Sequence, residues 1–318
     1  MGGSVAVTPA RSKSVVITGA SSGLGRAAAI HLSELGYRVF AGVRSESSGA
    51  ELSGVSSSKG LLTPVMLDVT DANSIAHASD CVEQRCADTG LWALVNNAGV
   101  CISAPLESVR MDLMRTQLET NVLGTLAVSQ RFLPMLRASG GRIVNVSSGI
   151  GNIALPYLGL YSASQYAKEG LSDSLRRELR PLGVSVSVIQ PGAVYTPIWG
   201  KIRKTADEIL ATAPTEVVET YRARFVEFLN MNEVRAQQSK TTPADYADAV
   251  AAALAAKRPK TRYRVGVDSS SSALARRLVP DRLMDALIAV GLDGLTRAAY
   301  SHQPSKGTGV IVKAGDRW

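Results

Sequence analysis

The chain has 318 residues, 45% of them hydrophobic, 19% charged and 5% aromatic, a balance that fits a soluble globular protein with one large core and excludes a disordered or fibrous one. Its 35 Lys and Arg against 27 Asp and Glu leave a formal charge of +8, but the basic residues are scattered and never interleaved with aromatics, which argues against a nucleic-acid surface. Cys81, Cys86 and Cys101 match no zinc spacing and no histidine lies near them, so no metal site is expected and the thiols read as reduced, in an intracellular protein.

In chain order, residues 1–12 read as a flexible leader without a secretory apolar stretch. Ser14 to Thr18 is a short apolar run ending at Gly19, the pattern of a buried strand. A helix follows with Leu24, Ala28, Leu32 and Leu35 at helical spacing, then a second strand over 37–43 and a Ser/Gly-rich loop with a short helix over 45–60. Further strands are expected at 64–67, 92–95, 142–146, 184–189 and 262–266. Helices are expected at 71–88, 108–138, 161–181, 203–238 and 244–256, with an amphipathic stretch over 273–298. This alternation implies an α/β fold, a doubly wound parallel sheet of Rossmann type. The domain is expected over 13–270, with 271–318 as a C-terminal helix and tail. No apolar run reaches the ~20 residues of a spanning helix.

Chemistry concentrates at the strand ends. Thr18-Gly19-Ala20-Ser21-Ser22-Gly23-Leu24-Gly25 joins the first strand to the first helix, where glycines allow a sharp turn and the helix start favours a pyrophosphate. The second strand ends at Arg44, where an acidic residue would take adenosine ribose hydroxyls; an arginine can instead pair with a 2′-phosphate, which favours NADP(H) over NAD(H).

Read together, the motifs resemble the short-chain dehydrogenase/reductase family. T-G-x-x-x-G-x-G is its phosphate-loop pattern. Asp68-Val69 falls where members hold the adenine ring, and Asn96-Asn97-Ala98-Gly99 matches the N-N-A-G turn. Asn121, in a helix, matches the catalytic asparagine. Tyr161 follows Ser148 by 13 residues, the family's serine-to-tyrosine interval, and Pro191-Gly192-Ala193-Val194-Tyr195-Thr196 matches the nicotinamide-binding P-G-x-x-x-T segment. The resemblance implies a hydride-transfer oxidoreductase. Tyr161 would be general acid or base, Ser148 would hold the substrate oxygen and Asn121 would anchor a water chain.

One position departs. Where the family has the lysine of Y-x-x-x-K, this chain has Gln165, which can hydrogen-bond a ribose but carries no charge to lower the tyrosine pKa. Catalysis would then weaken at neutral pH, and a cofactor-binding protein with little turnover is the alternative reading. Lys168, where the family usually has an apolar residue, shares a helical stripe with 161 and 165 and starts ~10 Å past Tyr161 along the axis. Whether it substitutes is open at this level.

The resemblance places a substrate lid at about 196–240, where Ile198, Trp199, Ile202, Tyr221, Phe225, Phe228 and Leu229 suit a hydrophobic carbonyl or alcohol of steroid or retinoid type. The arginine-bearing stretch 273–298 would either rest on an anionic membrane or close a subunit interface; the missing spanning anchor favours a cytoplasmic homo-oligomer, with peripheral membrane contact left open.

Overall fold

The computed structural model describes residues 13–55, 61–87 and 89–300; the expected leader and the last part of the tail lie outside them. Seven strands form one parallel sheet: β1 (Ser14–Ile17), β2 (Arg38–Val43), β3 (Leu62–Met66), β4 (Leu91–Asn96), β5 (Arg142–Val146), β6 (Ser185–Pro191) and β7 (Arg262–Val265). Their order is β3-β2-β1-β4-β5-β6-β7, the doubly wound arrangement expected from the sequence. The chain winds outward from β1 in one direction and from β4 in the other, so a crevice opens between their C-terminal ends.

Strand periodicity divides the core. Val15 and Ile17 of β1, with Val39 and Ala41 of β2, face one cluster; Val16 and Phe40 face the other. The first face is covered by α1 (Gly23–Glu34) and α9 (Pro243–Ala255), which bring Ala28, Leu32, Tyr246 and Val250 onto the sheet. α3 (Ala72–Arg85) and α5 (Gly124–Ser139) cover the second with Ile75, Val82, Phe132 and Leu136. Pro64 is tolerated in β3 because that strand is an edge, with β2 as its only partner among the described residues.

The structure adjusts several expected boundaries. The Ser/Gly-rich stretch forms α2 (Glu46–Val55). The helix expected over 108–138 is α4 (Met111–Leu118), a π-turn at Glu119–Leu123, and α5. The next helix, α6, runs Gly159–Leu179. The stretch expected as one helix over 203–238 is two, α7 (Ile198–Thr212) and α8 (Thr215–Gln237), separated at Pro214, which lacks the N–H needed to continue α7. Likewise Pro280 separates α10 (Val267–Leu278) from α11 (Asp281–Tyr300). The chain divides there into two compact units, Met1–Val279 and Pro280–Trp318. No helix among the described residues is long and apolar enough to cross a membrane.

Candidate active site

The loop after β1 is shaped by its glycines. Gly19 and Gly23 have φ of +65° and +55°, a region costly for other residues. A Cβ at Gly25 would lie 2.3 Å from the Gly19 carbonyl oxygen and 2.4 Å from Asn97 Nδ2. Ser22 is the N-cap of α1 but makes no side-chain cap bond, so the first amides of the helix are left uncapped by it. Ser21, Ser22 and Leu24 are half-buried along this turn.

The N-N-A-G turn is stitched to that loop. Thr18 Oγ1 accepts from the Asn97 amide at 3.0 Å and the Ala98 amide at 2.9 Å, while Asn97 Nδ2 donates to the carbonyls of Thr18 at 2.9 Å and Gly19 at 3.2 Å. Tyr246 of α9 donates its hydroxyl to Asn97 Oδ1 at 3.0 Å. Asn97 is therefore the organising residue, one that motif reading passes over. Its neighbour Asn96, expected to contact the cofactor, is 2% exposed and donates beneath the turn to Ser129 Oγ at 2.9 Å and Asn145 Oδ1 at 2.8 Å.

At the end of β2, where the sequence leads one to expect the adenosine end of a dinucleotide, Arg44 is exposed. Burial pushes the Asp68 carboxyl up, but hydrogen bonds from Thr70 and the nearby Arg44 charge outweigh it and hold the group below its ordinary range. Val69 is buried against α5, where a Cβ on Gly124 would lie 2.8 Å from it.

The loop after β6, expected from the sequence to bound a nicotinamide, meets the glycine loop: a Cβ on Gly23 would touch Thr196 at 3.4 Å. The loop is held from behind. The Ala193 amide donates to Asp268 Oδ2 at 2.7 Å, and the Gly192 amide to the Val265 carbonyl at 2.8 Å. A Cβ on Gly192 would lie 1.8 Å from Asp268 Oδ1, so only glycine fits there. Pro191 and Val194 are buried, and the Val194 carbonyl accepts from Trp199 Nε1 at 2.9 Å.

Ser148 and Tyr161 meet where β5 ends against α6, and Asn121 is tied to the same helix through Ser164. Ser148 Oγ accepts from the Ile150 amide at 3.3 Å, capping a short turn, and also bonds toward the Tyr161 phenol. Asn121 sits in the π-turn, completely buried; it accepts from the Val100 amide at 2.8 Å and donates to the Val100 carbonyl at 2.9 Å and Ser164 Oγ at 3.1 Å. Its amide thus fixes the chain just past Gly99, and the Ser164 bond ties it to α6.

Burial drives the Tyr161 phenol well above the ordinary tyrosine range; the neighbouring Cys101 thiol acts the same way, and Ser148 offsets only part. Among the groups acting on it, none is a cation. Gln165 is 2% exposed and its Oε1 has no hydrogen-bond partner among the described residues. Lys168, one turn on, does not compensate at the phenol: its Nζ donates to the Val146 carbonyl at 3.0 Å.

The wall beside this pair is apolar. Ile202, Ala206, Phe225 and Leu229 form a cluster with Cys101, Tyr157, Ile198 and Trp199. Tyr157 holds φ +63°, the only non-glycine residue with positive φ among those described, and its ring lies 5.4 Å from Phe225 and 5.2 Å from Phe228. Such a conformation persists only where its surroundings enforce it. Burial pushes the Cys101 thiol up to about 12, so it is an inert wall residue rather than a nucleophile.

These residues fit a nicotinamide dinucleotide. The turn needs glycine to pack against its own carbonyl and Asn97, the start of α1 is left without a side-chain cap, and the buried Gln165 carbonyl oxygen, unpartnered among the described residues, suits a donor such as a ribose hydroxyl.

Comparison with known proteins agrees with this geometry. The short chain dehydrogenase family profile matches residues 13–207. The chain is 45% identical over 259 residues to 3-amino-tetrahydro-pyrrolizinone reductase of Xenorhabdus hominickii, covering 81% of this chain and 88% of that protein. It is 38% identical over 282 residues to human (Homo sapiens) retinol dehydrogenase 16, covering 87% and 88%. Among solved structures, a short chain dehydrogenase from Burkholderia cenocepacia in complex with NADP superposes with a TM-score of 0.65 at 27% identity, covering 88% of this chain and 97% of that one.

Proposed function

The chain belongs to the short-chain dehydrogenase family, and on that premise we propose that it is an NADP(H)-linked oxidoreductase acting on the carbonyl or alcohol of a hydrophobic, lipid-like substrate. The observation that carries this reading is the meeting of Tyr161 and Ser148 at the C-terminal end of β5, beside Cys101 of the apolar wall. The dinucleotide, when bound, supplies or accepts the hydride. Tyr161 donates the proton to the carbonyl oxygen as negative charge builds there, or removes it from the alcohol in the reverse direction. Ser148 holds that oxygen, and Asn121 keeps the Val100 segment and α6 at fixed separation.

Thr18, Gly19, Ser21, Ser22, Gly23, Leu24 and Gly25 hold the pyrophosphate; Asp68, Val69, Ala98 and Gly99 line the adenine and ribose path; Pro191, Gly192, Val194 and Thr196 bound the nicotinamide; and Gln165 takes the ribose beside it. Arg44 supports the NADP(H) preference, since nothing acidic stands at the end of β2 to take a 2′-hydroxyl. The helices α7 and α8 act as the lid, supported by the cluster they form with Tyr157 and Cys101. The relatives' names, one a reductase and one a retinol dehydrogenase, support C=O and CH–OH chemistry. The test is NADPH fluorescence on binding, followed by NADPH oxidation with a panel of lipid ketones and aldehydes across pH.

Two observations favour a second reading, a dinucleotide-binding protein with weak turnover: no cation among the described residues acts on Tyr161, and Gln165 stands at the lysine position. Binding without oxidation at any pH selects it.

A further inference from the structure

Lys168 is among the most buried side chains of the described residues, 1% exposed, on the face of α6 that covers the sheet. It does not stand alone there. Three consecutive residues of β5 and its end are each held by an α6 side chain. Asn145 Nδ2 donates to Ser172 Oγ at 2.9 Å, the Val146 carbonyl accepts from Lys168 Nζ at 3.0 Å, and Ser147 Oγ donates to Glu169 Oε1. Glu169 is anchored in turn by Gln190 Nε2 of β6 and Arg262 Nε of β7, both at 2.9 Å. The next residue along is Ser148, and the same helix carries Tyr161. This ladder sets how far α6 sits along β5, and therefore where the phenol stands relative to the Ser148 hydroxyl.

Of its rungs only Lys168 brings a cation, and it is enclosed beside a position that is also enclosed. Residues 165 and 168 are separated by i,i+3, with Cβ atoms about 5–6 Å apart. A second buried ammonium at that distance would disfavour the charge on both. Gln165 is neutral, and no group among the described residues bonds its oxygen, so it places no charge beside Lys168.

We propose that Lys168 is a positioning residue for the Tyr161–Ser148 pair, and that Gln165 and Lys168 form one coupled exchange. In this chain the buried cation of α6 sits on the Val146 carbonyl, and a neutral side chain at 165 is the condition for it. The activity arm of this inference rests on the oxidoreductase reading; the stability arm does not.

The experiment is a double-mutant cycle on the full chain without cofactor, using Lys168→Met, Gln165→Lys and both together, followed by thermal unfolding at neutral pH. Gln165→Lys is expected to lower Tm by roughly 5 °C with Lys168 present and by less than half of that in the Lys168→Met background. Should the Lys168→Met protein fail to fold, Gln165→Met replaces it as the control: the neutral change should cost clearly less than Gln165→Lys. The second arm measures NADPH affinity and retinal reduction. Lys168→Met should lower kcat about tenfold while leaving the NADPH Kd within about twofold, because the residue acts on Ser148 and not on the cofactor.

Equal Tm losses in both backgrounds, or Gln165→Lys costing no more than Gln165→Met, overturn the exchange. A kcat unchanged in Lys168→Met, or lost in proportion to NADPH affinity, overturns the positioning role. Failure of the wild-type chain to bind NADPH overturns the functional reading instead, and leaves the Tm cycle to decide this one.

Discussion

The backbone amide of Ala193 donates to the Asp268 carboxylate across 2.7 Å, so the start of α10 holds the loop that follows β6. Asp268→Ala would leave that amide without its acceptor and loosen the Pro191–Thr196 segment. We expect NADPH affinity to fall about tenfold, the scale of one lost charge-assisted bond. Asp268→Asn, which keeps an acceptor oxygen, should recover most of it. Fluorescence titration of the three proteins checks this; equal affinity throughout would mean that the loop needs no such support.

At the glycine turn the expectation is steric. Gly25→Ala places a methyl group 2.3 Å from the Gly19 carbonyl oxygen, on the turn itself, and 2.4 Å from Asn97 Nδ2, on the turn stitched to it. Something must shift, so both dinucleotide binding and Tm should drop, by about 1–3 kcal/mol in stability. Gly36→Ala is the contrast: Gly36 has positive φ, but nothing among the described residues lies within 4 Å of the added carbon, so it should cost stability through strain alone and leave cofactor affinity intact.

Cofactor choice turns on the end of β2. Arg44→Asp removes the fork proposed to meet the 2′-phosphate and adds an acceptor for a ribose hydroxyl. The ratio of kcat/KM for NADPH over NADH should fall at least about tenfold. A ratio that does not move would assign Arg44 to the solvated surface, with its charge spent on Asp68.

The raised pKa of Tyr161 gives a directional pH dependence. A phenol displaced upward stays protonated through the neutral range, so its acid form is available for reduction over that whole range. Oxidation needs the phenolate, so its rate should climb with pH to the alkaline end of the measurable range. Gln165→Lys places a cation near the phenol and should move the oxidative limb to lower pH. An oxidative profile that is flat in the wild type would contradict the assignment of Tyr161 as base.

Lys168 carries a separate pH signature. Burial lowers its pKa from 10.5 to about 8, with Glu169 opposing. Between those values the unfolded chain binds more protons than the folded one, so stability rises with pH through that window as the cost of burying the ammonium is relieved, whereas below it that cost is present in full. The Tm difference between wild type and Lys168→Met should therefore grow in favour of wild type from pH 8 towards 10. A constant difference would show that the ammonium is not desolvated.

The sheet is legible in the sequence because parallel strands buried on both faces read as short apolar runs, and the Thr18 to Gly25 turn because its spacing is local. Ser148 and Tyr161 are legible for the same reason, one motif apart in sequence. What escapes is held together by distance along the chain. Asp268 supports a loop 75 residues earlier, and Asn97 takes its bonds from Thr18 and Gly19, 79 and 78 residues back; no spacing announces either. Asn96 departs from expectation for a related reason: within one turn, strand alternation sends it beneath the sheet to Ser129 and Asn145 and gives the organising place to Asn97. Proline breaks at 214 and 280 are visible in the sequence, but the apolar periodicity running through them favours single helices.

The most direct measurement compares wild type with Tyr161→Phe, following NADPH binding by fluorescence and NADPH oxidation with retinal or a steroid ketone. We expect both proteins to bind NADPH with similar affinity, and the wild type to turn over at a rate that falls at least about 100-fold in the variant. Equal turnover in the two proteins, or no dinucleotide binding by either, would contradict a carbonyl held between that phenol, Ser148 and the nicotinamide.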